Sequence, residues 1–261
     1  MRTRLLRGGA LAVCLLVIAI GLVVGTRPDR EEAAATTTTT AATTTTTTER
    51  KVRAVRAAPV AATVADARGA TVDLFSEPGV PYADHSVMDN PTHEGLSVVF
   101  LVLEERGAWL RVQVSMRPNG LALWVRRSQV RLRTVPNRIV VRLAERRLQV
   151  FEGTRGSKPL LDEVVAVGSA RTPTPAGHFF VDGWVPLDGN GPYGAGQLSV
   201  AGFSEVLHSF GGGVGQIAIH GTNRPHLLGQ PISNGCVRMA NEAIDRLVRL
   251  APLGTPVEII A

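Results

Sequence analysis

The sequence predicts a mostly β protein: two consecutive β-rich segments behind a disordered tether, with one late helix. Between residues 63 and 260 the apolar runs are short and separated by glycine, proline and asparagine turn signals. Only the stretch from Asn241 to Ala251 repeats apolar residues at helical spacing. Residues 27–62 contain no aromatic residue and are rich in threonine and alanine, a composition that cannot bury enough apolar surface to fold.

At the N-terminus Arg2, Arg4 and Arg7 precede an uncharged, mostly apolar run from Gly8 to Gly25. As a helix this run would be about 27 Å long, close to the hydrocarbon thickness of a bilayer. The arginines favour the cytoplasmic side. Residues 1–26 therefore read as a cytoplasmic tip and membrane anchor, with a cleavable signal peptide as the alternative. Cys14 lies mid-run, a poor position for lipid attachment. The tether carries the tracts Thr36–Thr40 and Thr43–Thr48; fully extended it would reach about 120 Å, enough to hold the folded part clear of a membrane. Lysine and arginine outnumber aspartate and glutamate 28 to 22, but three of those positive charges flank the apolar run. Eight arginines between Arg126 and Arg147 form either a patch for an anionic polymer or the wet face of strands, which the alternation Arg131-x-Arg133 favours. Aromatic residues are not interleaved with them, so no nucleic acid partner is expected.

Within residues 63–135, strands are expected at Thr71–Phe75, Leu96–Leu103, Trp109–Val114 and Leu121–Val125. The turns between them include Glu77-Pro78-Gly79, Glu105-Arg106-Gly107 and Pro118-Asn119-Gly120. Asn119-Gly120 signals a hairpin because both residues tolerate positive φ. Gly107-x-Trp109 and Trp124-Val125 resemble bacterial SH3-like domains, which implies a small β-barrel that binds cell-wall peptide or acts as a spacer. Trp109 and Trp124 are then either a binding platform or core.

From Asn137 onward the strands continue at Ile139–Leu143, Arg147–Phe151 and Val164–Val167. Thr172-Pro173-Thr174-Pro175-Ala176-Gly177 is a rigid turn before the strand His178–Val181, and Gly189–Gly194 is a glycine-rich loop containing Tyr193. Ile217–Ile219 is a buried strand ending at His220. Asn241 is positioned to cap the helix, Ile244, Leu247, Val248 and Ala251 form its apolar face, and Pro252 stops it. Pro256–Ile260 is the final strand.

The single cysteine beyond residue 14 lies in Ser233-Asn234-Gly235-Cys236-Val237-Arg238-Met239, sixteen residues after His220. An exported chain with one such thiol cannot use it as an internal disulfide staple, which leaves a reactive thiol or a buried small hydrophobe. A nucleophilic thiol needs a base and N–H groups for the oxyanion. His208 precedes Gly211-Gly212-Gly213 and either approaches such a site or holds a structural hydrogen bond. His220, His226 and Cys236 are zinc-ligand types, but no CxxC or HExxH pattern accompanies them.

Ile219-His220-Gly221-Thr222, the segment Ser233–Met239 and the turn Thr172–Gly177 together resemble the L,D-transpeptidase catalytic domain of bacterial peptidoglycan synthesis, over residues 137–261. The preceding segment, with Arg117-Pro118-Asn119-Gly120, looks like the N-terminal module of some actinobacterial members. The resemblance implies a β-sandwich or barrel with the cysteine beneath a flexible loop. It implies formation of 3-3 cross-links between tetrapeptide stems through a thioester on Cys236. His220 would be the base, oriented by the Gly221 carbonyl, and the N–H groups of Asn234, Gly235 and Cys236 the oxyanion hole. Arg238, Ser233, Tyr193 and Thr222 would contact substrate, Arg238 either by holding a carboxylate or by bracing the loop. No metal or cofactor is implied; covalent inhibition by carbapenems and a catalytic domain outside the cytoplasm are. Many family members carry histidine where this chain has Asn234. Sortases and papain-like proteases also pair cysteine with histidine but lack the Ser-x-Gly-Cys-x-Arg segment. The rival readings are an L,D-carboxypeptidase, which gives the same thioester to water, and a non-catalytic wall-binding spacer.

Overall fold

The computed structural model describes residues 60–261; the expected anchor and nearly all of the tether, residues 1–59, lie outside them. Among the described residues no helix is long and apolar enough to cross a membrane. The N-terminal module contains β1 (Ala62–Ala67), β2 (Thr71–Asp73), β3 (Phe75–Glu77), β4 (Val80–Pro81), β5 (Val87–Asp89), β6 (Val99–Arg106), β7 (Trp109–Gln113), β8 (Ala122–Arg126) and β9 (Val130–Val135). Seven of them form a sheet in the order β4-β3-β8-β7-β6-β1-β9, while β2 and β5 pair as a separate ribbon. Alternation sets the inner face: Leu110 and Val112 from β7 join Leu123 and Val125 from β8 and Phe100 from β6 in one core. Trp124 is buried, and Trp109 meets Phe75 edge-on at 4.9 Å with the Arg126 guanidinium over both rings. Both tryptophans are thus packed into the module.

Two local expectations need correction. The run Thr71–Phe75 is broken at Leu74, whose N–H donates to the Ser86 carbonyl and whose own carbonyl accepts from Tyr82. The chain steps there from the ribbon into the larger sheet. The Asn119-Gly120 pair is not a two-residue hairpin turn: only Gly120 has positive φ, +78°, and it sits in a longer loop between β7 and β8. The Asn119 amide bonds elsewhere, as described below.

The second half contains β10 (Asn137–Arg142), β11 (Arg147–Glu152), β12 (Pro159–Val164), β13 (Val167–Gly168), β14 (Gly177–Pro186), β15 (Gly196–Phe203), β16 (Gln216–His220), β17 (Pro231–Ser233), β18 (Val237–Arg238), α1 (Asn241–Leu250) and β19 (Pro256–Ile260). Eight strands build one sheet in the order β12-β11-β10-β19-β14-β15-β16-β18, with β13 and β17 paired apart. The C-terminal strand β19 thereby fills the centre, parallel to β10 and antiparallel to β14. Helix α1 buries Ala243, Ile244 and Leu247 against a core that includes Leu198, Ile219 and Val237. Its N-cap is Ala240, without a side-chain capping bond, so Asn241 does not serve as the expected cap.

A third cluster joins the halves: Val64, Val99 and Val135 from the module pack on Phe180 and Ala201 from the eight-stranded sheet. Gly254, at φ +85°, lies so close that a Cβ there would stand 2.5 Å from the Val64 methyls. Polar bonds surround the cluster. The Gln113 amide donates to the His178 carbonyl at 2.7 Å, and Arg133, expected on a wet face, bridges the Asp66 carboxylate and the Leu253 carbonyl at 2.9 and 2.8 Å. Phe180→Ala should therefore cost about 3–5 kcal/mol, and calorimetry should show both halves melting in one transition. Two separate transitions in the wild type would contradict this packing.

Candidate active site

His220 ends β16 and is only 3% exposed. The short strand β18 runs parallel to it, with Ile219 opposite Val237 and His220 opposite Arg238. Continued backward by one residue, that register places Cys236 beside Ala218, on the sheet face that His220 and Arg238 share. The turn into β18 depends on Gly235, at φ +111°, a conformation that disfavours a side chain. The Ser233 hydroxyl stabilises it by accepting from the Gly235 N–H at 3.1 Å and donating to the Cys236 carbonyl at 2.5 Å. The Ser233 carbonyl in turn accepts from the Ser169 N–H and the Thr172 hydroxyl, both at 3.0 Å. Thr174 completes the brace by accepting from the Gly168 N–H at 2.8 Å. The Thr-Pro turn thus holds the cysteine loop from behind.

The His220 Nδ1 lies 2.6 Å from the Gly221 carbonyl oxygen. A carbonyl only accepts, so Nδ1 carries the proton and Nε2 keeps its lone pair. The Gly221 loop is fixed by Asn241, whose Oδ1 accepts from the Thr222 N–H at 3.0 Å and the Ala195 N–H at 3.2 Å. No Cβ fits at Gly194 or Gly221, because the Asn241 oxygen occupies that space. Tyr193 stands with its ring 4.7 Å from the imidazole.

Burial dominates the electrostatics. It pushes the Cys236 thiol up, with a backbone hydrogen bond from Ala218 and the Arg238 charge pulling the other way. It pushes His220 down to about 4, opposed by the bond to Gly221 and assisted by Arg238. Burial also raises the Tyr193 phenol, and the nearby Cys236 adds to the shift. At neutral pH the resting site is therefore a thiol beside a neutral imidazole. Arg238 makes no side-chain hydrogen bond among the described residues, and its buried Nε is without a partner. A free guanidinium this close to the cysteine is suited to a carboxylate.

Cys236 opens into a cleft of about 430 Å³, flanked by Tyr193 and Gln197, by Phe210 and Val214, and by His93 and Leu96 from the module. The wall from Ser204 to Gly215 is held at its base by the module's loop between β7 and β8. Arg117 donates to the carbonyls of Ser204, Leu207 and Val214 at 2.9, 3.3 and 3.1 Å. The Asn119 amide donates to the Phe203 carbonyl and accepts from its N–H, both at 2.8 Å.

Cys236, His220, Gly221, Tyr193 and Arg238 thus come together as the sequence suggested. Ser233 and Thr222, expected to touch substrate, are buried, and their hydroxyls are used within their own loops; Thr222 accepts from the Arg224 N–H at 3.0 Å. The expected three-donor oxyanion hole loses the Gly235 N–H to Ser233, leaving those of Asn234 and Cys236. His208 and His226 are exposed and do not line the cleft. Among the described residues no three His, Cys, Asp or Glu side chains gather as metal ligands. Sequence reasoning missed Asn241, Arg117 and Asn119 as parts of the site.

A family model described as the L,D-transpeptidase catalytic domain matches residues 136–259. A Bacillus licheniformis protein named L,D-transpeptidase YkuD is 37% identical over 126 residues, which span 48% of this chain and 67% of the relative. The chain belongs to the L,D-transpeptidase family. The Bacillus subtilis L,D-transpeptidase YkuD is 33% identical over a match of the same coverage. Among solved structures, Bd1075 of Bdellovibrio bacteriovorus is similar at 23% identity and a TM-score of 0.38, covering 48% of this chain and 47% of that one, about half of each.

Two predictions follow from the geometry of the transpeptidase domain. Because burial raises the Cys236 pKa and lowers that of His220, alkylation by iodoacetamide should keep rising with pH beyond about 8.5, an ordinary thiol's pKa. The His220 ring should titrate by NMR near pH about 4. Levelling of alkylation below pH about 7 would instead reveal a resting thiolate–imidazolium pair. Asn241→Ala removes the acceptor for two backbone N–H groups and should cost about 2 kcal/mol by urea unfolding; Asn241→Asp, which keeps an acceptor, should retain most of that stability.

Proposed function

We propose that the domain joins peptidoglycan stems by 3-3 cross-links, with Cys236 as nucleophile. The observation that carries this reading is the shared sheet face of His220 and Cys236, with Nδ1 of the histidine committed to Gly221. The Cys236 thiol gives its proton to Nε2 as sulfur attacks the carbonyl of the third stem residue. The resulting oxyanion is met by the N–H groups of Asn234 and Cys236. Collapse of this intermediate expels the terminal D-alanine, whose amine takes the proton from Nε2, and leaves a thioester. The acceptor stem's amine then attacks that thioester and passes a proton to His220. Collapse returns it to the departing sulfur, forming an amide and restoring the thiol. Arg238 holds a carboxylate of the donor stem. Because both charged forms are disfavoured by burial, the proton moves only as the oxyanion forms and not beforehand.

The apolar run Gly8–Gly25 and the threonine tether fit a catalytic domain held outside the membrane, within reach of the wall. A module bonded into the cleft wall through Arg117 and Asn119 fits an enzyme better than a spacer.

The test is incubation of the protein with disaccharide-tetrapeptide and mass spectrometry of the products. A dimer short of one D-alanine supports cross-linking; free tripeptide alone would make the enzyme a carboxypeptidase, and unchanged substrate would sink both. Cys236→Ala should abolish turnover and leave the fold intact. His220→Ala should slow acylation at least about a hundredfold, and a loss under tenfold would place the base elsewhere. A carbapenem, whose strained lactam is an acyl donor, should add to wild-type protein and not to Cys236→Ala in intact-mass spectra.

A further inference from the structure

A second cavity of about 280 Å³ lies between the module and the catalytic sheet. It adjoins the cysteine cleft, because His93, Glu94, Leu96, Val214 and Gln216 line both. Most of its wall is apolar, with Met88, Val98, Phe100 and Phe203 among the lining. Polar groups interrupt it, among them the carboxylates of Asp89, Glu94 and Asp182. Asp182 of β14 presents a carboxylate there, and its two oxygens are treated differently. Oδ2 accepts from the Ser115 hydroxyl and from the Gln216 amide, the latter at 2.7 Å. Oδ1 is shut off from solvent and has no hydrogen-bond partner among the described residues.

A buried carboxylate oxygen without a donor is costly, and the cost disappears when a donor is brought to it. Burial, followed by smaller opposing hydrogen bonds and a contribution from Glu94, raises Asp182 to about 6, so it remains mostly ionised at neutral pH. Ser115 and Gln216, the side chains that donate to Asp182, are both spent on Oδ2, and the Asp182 backbone N–H also acts on the carboxylate. No lysine or arginine lines the cavity, and His93 is exposed and stands 3.7 Å from Glu94. A ligand positive at its tip and apolar along its length would complement this carboxylate and the wall around it. The geometry points to this cavity as a subsite for an aliphatic primary ammonium, its methylene stem against Leu96, Phe100 and Phe203 and its charge beside the Asp182 carboxylate. Glu94, at the boundary with the cysteine cleft, and Asp89 add two further carboxylates to the lining. The amine is either borne by a peptide engaged at Cys236, which rests on the function proposed above, or free in solution, which does not.

The test uses the full chain with pentylamine and its neutral isostere 1-pentanol, with binding followed by ligand-observed NMR. Wild type should bind pentylamine at least about tenfold more tightly than pentanol, the scale of one charge-assisted bond. Asp182→Asn should erase that preference while Cys236 still acylates with a β-lactam. Glu94→Gln, an exposed change that spares the fold, should weaken pentylamine severalfold. Absence of a preference in wild type, or its persistence in Asp182→Asn, overturns the proposal, and the wild-type and Glu94→Gln arms decide it even if Asp182→Asn fails to fold. The two sources separate in turnover. A raised KM at unchanged kcat in Asp182→Asn, seen with amine-bearing stems and not with N-acetylated ones, assigns the site to the peptide. An unchanged KM alongside lost pentylamine binding assigns it to a free amine. Wild type that prefers pentylamine yet never cross-links stems would sink the proposed reaction and leave the subsite standing.

Discussion

A parallel ladder only two residues long, Ile219 with Val237 and His220 with Arg238, sets the relation between thiol and imidazole. Such a short pairing has little stability of its own, so the surrounding chain must supply it. Val237 and Ile219 are anchored in the main core, the Ser233 hydroxyl closes the glycine turn ahead of the ladder, and Asn241 fixes the loop beyond it. The tolerance is small because the thiol and the imidazole come from separate segments of the chain and share no covalent neighbour. Around this ladder glycine is required by contact: Asn241 fills the space that side chains at positions 194 and 221 would need.

The site's chemistry follows from its dryness. A thiolate–imidazolium pair would need solvation that the buried His220 does not have, and Arg238 further disfavours a positive ring. Arg238 acts on the thiol in the opposite sense and partly offsets its burial. The same charge therefore lowers both proton affinities, making the thiol more acidic and the imidazole less basic, and leaves both groups neutral at rest. A neutral thiol is also less readily oxidised than a thiolate.

Much of this was legible in the sequence, and the exceptions share a cause. The β-rich pattern, the late helix and the Cys236–His220 pairing are local signals, readable from alternation, periodicity and spacing. The failures concern side chains whose partners lie far away in the chain. Asn241 sits where a cap is expected, and only the fold shows its oxygen between Ala195 and Thr222. Asn119 looks like half of a turn but bonds Phe203, eighty-four residues on. Arg133 fits a strand's wet face by alternation, yet it reaches Leu253. Ser233 and Thr222, which the family resemblance implied as substrate contacts, are buried with their hydroxyls used inside their own loops.

The way the module is attached has a mechanical consequence. Only Pro136 separates β9 from β10, and its neighbours Val135 and Asn137 are buried, so the junction offers no hinge. Strand β1 lies between β6 and β9 and pairs with β9 from Ala62 to Ala67. A pull on the N-terminal end of β1 along its own axis would load these bonds in shear, together, instead of unzipping them singly. With Val64 wedged against Gly254 and the core beyond it, such a load would be shared by both halves, and the cleft would keep its shape.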